Sequence, residues 1–134
     1  MRMRFFHAIA APAILLAFGV LANAQFERGR YGTDSVNALV DRVHVDLDHA
    51  YGAWHFSGGD KDRLNHAEKE LREFARSWNH EHFDKGKLDD AIGSIQHVLD
   101  NNRMPPGERD ALSNDVAQLR NMREAYDRHE IGPR

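Results

Sequence analysis

The sequence predicts an all-α protein, an antiparallel four-helix bundle, and three observations carry that expectation. Apolar side chains recur at steps of three and four in four separate stretches, which places each set on one stripe of a helix. Short clusters rich in glycine, proline, asparagine and aspartate separate the stretches. No stretch shows the sustained period-two alternation of a half-buried strand. Four amphipathic helices with short connections pack antiparallel, because each turn folds the next helix back along its predecessor.

The first helix is expected over residues 34–56, with Val36, Leu39, Val40, Val43, Leu47, Ala50, Tyr51 and Trp54 on its stripe. Thr33, Asp34 and Ser35 offer capping oxygens at its start, and Ser57-Gly58-Gly59 is expected to end it through a left-handed glycine. The second is expected over 60–82, capped by Asp60, with Leu64, Ala67, Leu71, Phe74, Ala75 and Trp78 facing inward. The third, over 85–101, has Asp84 as its cap and Leu88, Ala91, Ile92, Ile95, Val98 and Leu99 as its stripe. The fourth, over 106–129, opens on Pro105-Pro106, where a missing N–H costs nothing. Its stripe is Leu112, Val116, Leu119, Met122 and Tyr126. Gly52 and Gly93 fall on polar faces inside helices, where each costs roughly 1 kcal/mol against alanine.

The bundle is expected to follow an export signal. Arg2 and Arg4 precede a 15-residue apolar run from Ala8 to Ala22, and Ala22-Asn23-Ala24 offers small residues to a signal peptidase. The run is short of the ~20 apolar residues that span a membrane. The expected organisation is a signal peptide at 1–24, a flexible arm at 25–33 and a helical domain at 34–134. Cleavage removes two of the 18 basic residues and leaves 16 against 21 acidic ones, a net charge of −5 with neutral histidines. That balance disfavours nucleic acid, which calls for a basic face. No cysteine is present, which excludes a disulfide staple, a thiol nucleophile and a thiolate metal site.

The segment His82-Phe83-Asp84-Lys85-Gly86-Lys87-Leu88-Asp89-Asp90-Ala91-Ile92, followed by Val98-Leu99-Asp100-Asn101 and Glu108-Arg109-Asp110-Ala111-Leu112, resembles small exported helical proteins of soil bacteria. The resemblance covers about half of the chain after the signal. It implies an exported helical protein and transfers no activity. Pro105 stands where that family tends to carry serine before the fourth helix.

Catalytic patterns are absent. Phe56-Ser57-Gly58 lacks the G-x-S-x-G elbow, and no glycine-rich phosphate loop occurs. Asp100-Asn101-Asn102 begins like a calcium loop but has Pro105 where the sixth-position glycine belongs. Neither H-E-x-x-H nor Glu-x-x-His is present. Asp89-Asp90 are adjacent, a spacing that splays two carboxylates apart on a helix and suits capping or solvation.

Histidine is the compositional oddity, with eight after the signal. His44, Asp48 and His55 share a stripe beside the apolar face of the first helix, and His44 and Asp48 stand one turn apart. They are the candidate ligands for a divalent metal such as zinc, which takes three or four N and O donors at about 2 Å. A second stripe, His66, Glu70, Glu73 and His80, points away from the apolar face and is expected to be solvated. Trp54, Trp78, Tyr51, Phe74 and Tyr126 are expected in the core, with a ligand cavity as the alternative. Arg123 lies on the inner stripe of the fourth helix and is expected to reach solvent or to pair with a carboxylate, Glu130 being the nearest on that helix.

The leading expectation is a non-enzymatic exported helical protein that binds a protein partner or stays with the envelope, without a cofactor, a nucleic-acid ligand or a membrane span. The alternative is low-affinity divalent metal binding through histidine, aspartate and glutamate. The export reading has a direct check. Protein recovered from the envelope or medium should give Gln25 as its first residue on N-terminal sequencing. A chain that still begins at Met1 would remove it.

Overall fold

A computed structural model describes residues 32–131, with the side chain of Thr33 excepted. The expected signal peptide at 1–24 and most of the arm lie outside the described residues. Four helices follow one another: α1 (Thr33–Ala53), α2 (Gly58–Asn79), α3 (Lys85–Asn101) and α4 (Pro106–Asp127). Each packs on its neighbours in the chain, and α4 closes back on α1. The arrangement is the antiparallel four-helix bundle that the stripes predict. Contact is most extensive between α2 and α3, and α1 rests more lightly on α2 and α4. Among the described residues no helix is long and apolar enough to cross a membrane.

The core is the four stripes brought together. Val43, Leu47, Leu64, Phe74, Leu88, Ile95, Leu112, Leu119 and Met122 have no exposed surface. Burial of each large side chain is worth about 1.5–3 kcal/mol. Three further apolar residues join from the connections, where periodicity gives no signal: Phe56, Phe83 and Met104.

Several helix ends differ from expectation, each for a local reason. α1 stops three residues early because Trp54 turns to an extended backbone, φ −138° and ψ 142°. Its indole Nε1 then donates to Asn102 Oδ1 at 3.2 Å. Asn102 Nδ2 in turn donates to Asp60 Oδ2 at 3.0 Å and to the Val98 carbonyl at 2.9 Å, so one amide ties the ends of α1 and α3 to the start of α2. Ser57, rather than Asp60, caps α2, its Oγ accepting from the Asp60 N–H at 3.2 Å. Gly58 and Gly59 therefore sit in the first turn of α2 and take no left-handed conformation. Asp84 caps α3 as expected.

The ends of α2 and α4 share one device. His82 N–H reaches the Ser77 carbonyl at 2.9 Å and Glu81 N–H reaches that of Trp78 at 3.0 Å. Glu130 and His129 repeat the pattern on Ala125 and Tyr126. These are Schellman closures, which place the residue after the cap in the left-handed region. Glu81 (φ 61°) and His129 (φ 58°) hold those positions without being glycine. They end α2 and α4 before the expected 82 and 129.

Nothing lies within 4 Å of a Cβ built on Gly52 or Gly93. Gly52→Ala and Gly93→Ala should therefore each stabilise the fold by up to about 1 kcal/mol in urea titrations. Glu81→Gly should also stabilise, since the left-handed penalty of roughly 1–2 kcal/mol outweighs the entropy of glycine. A loss of stability in any of the three would contradict the geometry.

Candidate metal centre

Three side chains converge where α1 faces α2: His44, Asp48 and Glu68, with one donor atom from each within 4.8 Å of the others. His44 and Asp48 stand one turn apart on α1, His44 Nε2 lying 3.7 Å from Asp48 Oδ2. Glu68 comes from α2, its Oε1 3.4 Å from His44 Nδ1. The fold positions it because Leu64 and Leu71, one turn to either side, anchor α2 in the core.

His44 and Asp48 were legible as a pair from their spacing, and the structure brings them together. His55 does not join them. It lies in the connection after α1, exposed, because the helix ends before it and its expected register is lost. Glu68 takes the third place. Its signal was available in the sequence, since it stands four residues after Leu64 and three before Leu71, on the edge of the apolar stripe.

The three donors differ in freedom. The Glu68 side chain is 12 % exposed, while those of His44 and Asp48 are 48 % and 62 % exposed. Glu68 Oε1 is buried and accepts no hydrogen bond. Its other oxygen faces Arg72 at 3.8 Å. A tetrahedral ion with ligands at ~2 Å holds them roughly 3.4 Å apart. Two mobile donors closing on one fixed donor can make up that difference by rotamer changes.

The surrounding field is negative. The Tyr51 hydroxyl is pushed above its ordinary acidity range, first by burial and then by the charges of Glu68, Asp62 and Asp48. It donates to the Lys61 carbonyl at 2.7 Å and meets Asn65 Oδ1 at 3.1 Å, which ties the end of α1 to the start of α2 beside the three donors.

The other sequence candidates fall elsewhere. His66 is exposed as expected, but Glu70 of the same stripe is buried. Lys87 on α3 reaches over both Glu70 and Glu73, so these carboxylates form an α2–α3 bridge, with Glu70 buried and Glu73 still part-exposed. Arg123 bonds Asp89 Oδ1 on α3 at 2.8 Å and also Asp127, whereas Glu130 pairs with Arg128. The guanidinium is thus occupied as an α3–α4 strap, and Asp89 is its partner while remaining part-exposed. The aromatic residues pack against one another or against the core. Phe83 meets Phe74 and Trp78 edge-on at 5.1 and 5.9 Å and stacks on Tyr126 at 4.0 Å.

One charged group was missed altogether. Asp115 on α4 has no exposed surface. Arg42 Nε on α1 donates to its Oδ1 at 3.1 Å, while its Oδ2 is buried with no partner. The pattern did contain it: Asp115 stands three residues after Leu112 and four before Leu119, a core position.

No protein-family model, curated protein or solved structure matches this chain at a significant level.

Tyr51→Phe removes the hydroxyl that ties α1 to α2 and should cost about 1 kcal/mol in urea denaturation, the usual net worth of such a bond. An unchanged midpoint would mean that water replaces the tie.

Proposed function

We propose that the chain is an exported, non-enzymatic helical bundle that binds a divalent transition-metal ion through His44, Asp48 and Glu68. The observation that supports this reading is the buried, unbonded Oε1 of Glu68, aimed at a histidine nitrogen and flanked by a second carboxylate. One imidazole and two carboxylates, without sulfur, suit zinc, nickel or copper(II) better than copper(I). Three protein donors leave a coordination position open to water, so the site suits reversible binding or buffering better than a closed structural role. The negative field around Tyr51 favours a cation at the same place. The export pattern and the resemblance to exported helical proteins of soil bacteria belong to the same reading and support binding outside the cytoplasm.

Binding to a protein partner is the competing reading. It calls for an apolar patch, and among the described residues Val45 is the large apolar side chain left exposed.

Calorimetry on chelator-stripped protein with zinc, nickel and copper(II) tests the proposal. One saturable site is expected, with a dissociation constant on the order of micromolar. His44→Ala and Glu68→Gln should each weaken it by at least about tenfold, and His55→Ala should leave it unchanged. The absence of a saturable site, or indifference to the first two substitutions, would overturn the reading.

A further inference from the structure

The metal donors join two helices, and one of them, α1, is the most lightly held in the bundle. Contact between α1 and α2 is the sparsest of the four seams. No side chain caps the start of α1, whereas Ser57 caps α2 and Asp84 caps α3. Side-chain hydrogen bonds tie α1 to α2 near either end. Asn37 Nδ2 donates to Asn79 Oδ1 at 3.1 Å, and the Tyr51 hydroxyl donates to the Lys61 carbonyl at 2.7 Å. His44 lies about two turns from both Asn37 and Tyr51, so the donor group spans the middle of the seam. On the other side of α1, Arg42 bonds Asp115 of α4 from a side chain that is 45 % exposed.

Asp48 on α1 and Glu68 on α2 bring like charges to this spot, their donor atoms within 4.8 Å of each other and of His44. Like charges across a seam push it apart, and a divalent cation between them reverses the sign of that interaction. The donors are divided between the helices, two on α1 and one on α2. When α1 swings away, neither helix keeps a three-donor site. An ion held by all three thus binds the docked state alone and stabilises it by mass action.

We propose, resting on the metal-binding reading above, that an ion bound at His44, Asp48 and Glu68 clamps α1 onto α2, so that docking of the first helix answers to metal. With the ion in place α1 stays closed on the bundle. Without it α1 opens more often, and opens alone, while the extensive α2–α3 contact holds. Val43 and Leu47, wholly buried in the docked state, face solvent in each such opening. So do the side chains of α2 and α4 that α1 covers. The ion thereby sets how often an apolar surface is open. In the closed form, among the described residues, Val45 is the large apolar side chain left exposed.

The test follows amide exchange of the full chain, first stripped by chelator and then with zinc. In the stripped protein, exchange corrected for intrinsic rate should be at least about tenfold faster in α1 than in α3, which marks an opening of α1 alone. Free zinc at about 100 times its dissociation constant should slow exchange in α1 by about 100-fold. Trypsin gives a second readout, because Arg42 is the one lysine or arginine in α1 and a cut there needs the helix undocked. That cut should slow by a similar factor, once a peptide substrate has corrected for zinc acting on the protease. Two outcomes would overturn the clamp and leave metal binding standing: equal exchange in α1 and α3 of the stripped protein, or α1 exchange and cleavage indifferent to zinc that calorimetry shows to be bound. The absence of a saturable zinc site in calorimetry would overturn both.

Discussion

Everything in this protein rests on burying four apolar stripes at once. No cysteine is present to staple the chain. Each helix hides its stripe only against two neighbours, so none of the four is stable alone, a general property of short helices in water. The polar contacts act on a frame already set by that burial. Asn102 fixes how the ends of α1, α2 and α3 meet, Lys87 bridges α2 and α3, and Arg123 straps α3 to α4. Most of these ion pairs are part-exposed, and such pairs choose geometry more than they add stability.

Several carboxylates stand at the edge of the core or within it. Glu68 and Asp46 stand beside apolar stripes, and Asp115 stands within one. A carboxylate so placed loses water and looks for a substitute. On the α1–α2 side the nearest offer is a histidine nitrogen and, in our reading, a cation. On the α1–α4 side it is an arginine from the surface. The chemistry differs because Glu68 keeps two mobile donors next to solvent, whereas Asp115 is sealed.

The stripes made the fold legible, because a large apolar side chain three or four residues from the next leaves a helix little choice of face. The limits of that reading are as physical as its success. α1 ends at Ala53 because of a bond from Trp54 to Asn102, forty-eight residues away, and local periodicity cannot foresee it. His55 was lost from the candidate metal centre for that reason. Glu68 and Asp115 were overlooked for the opposite reason, since their spacing was visible and reading only apolar residues passed over them. Phe83 and Met104 show the same gap for connections, which bury side chains without any period.

The order of contacts along the chain has a further consequence, for how the molecule assembles. The most extensive packing joins α2 to α3, neighbours linked by a short turn, and such local pairing forms quickly. The contact between α1 and α4 closes last, because it joins residues such as Arg42 and Asp115 that lie 73 positions apart. A late-closing contact contributes little to the folding transition state and mostly governs the rate of opening. The buried Asp115–Arg42 pair thus belongs to the contact that closes the longest stretch of chain.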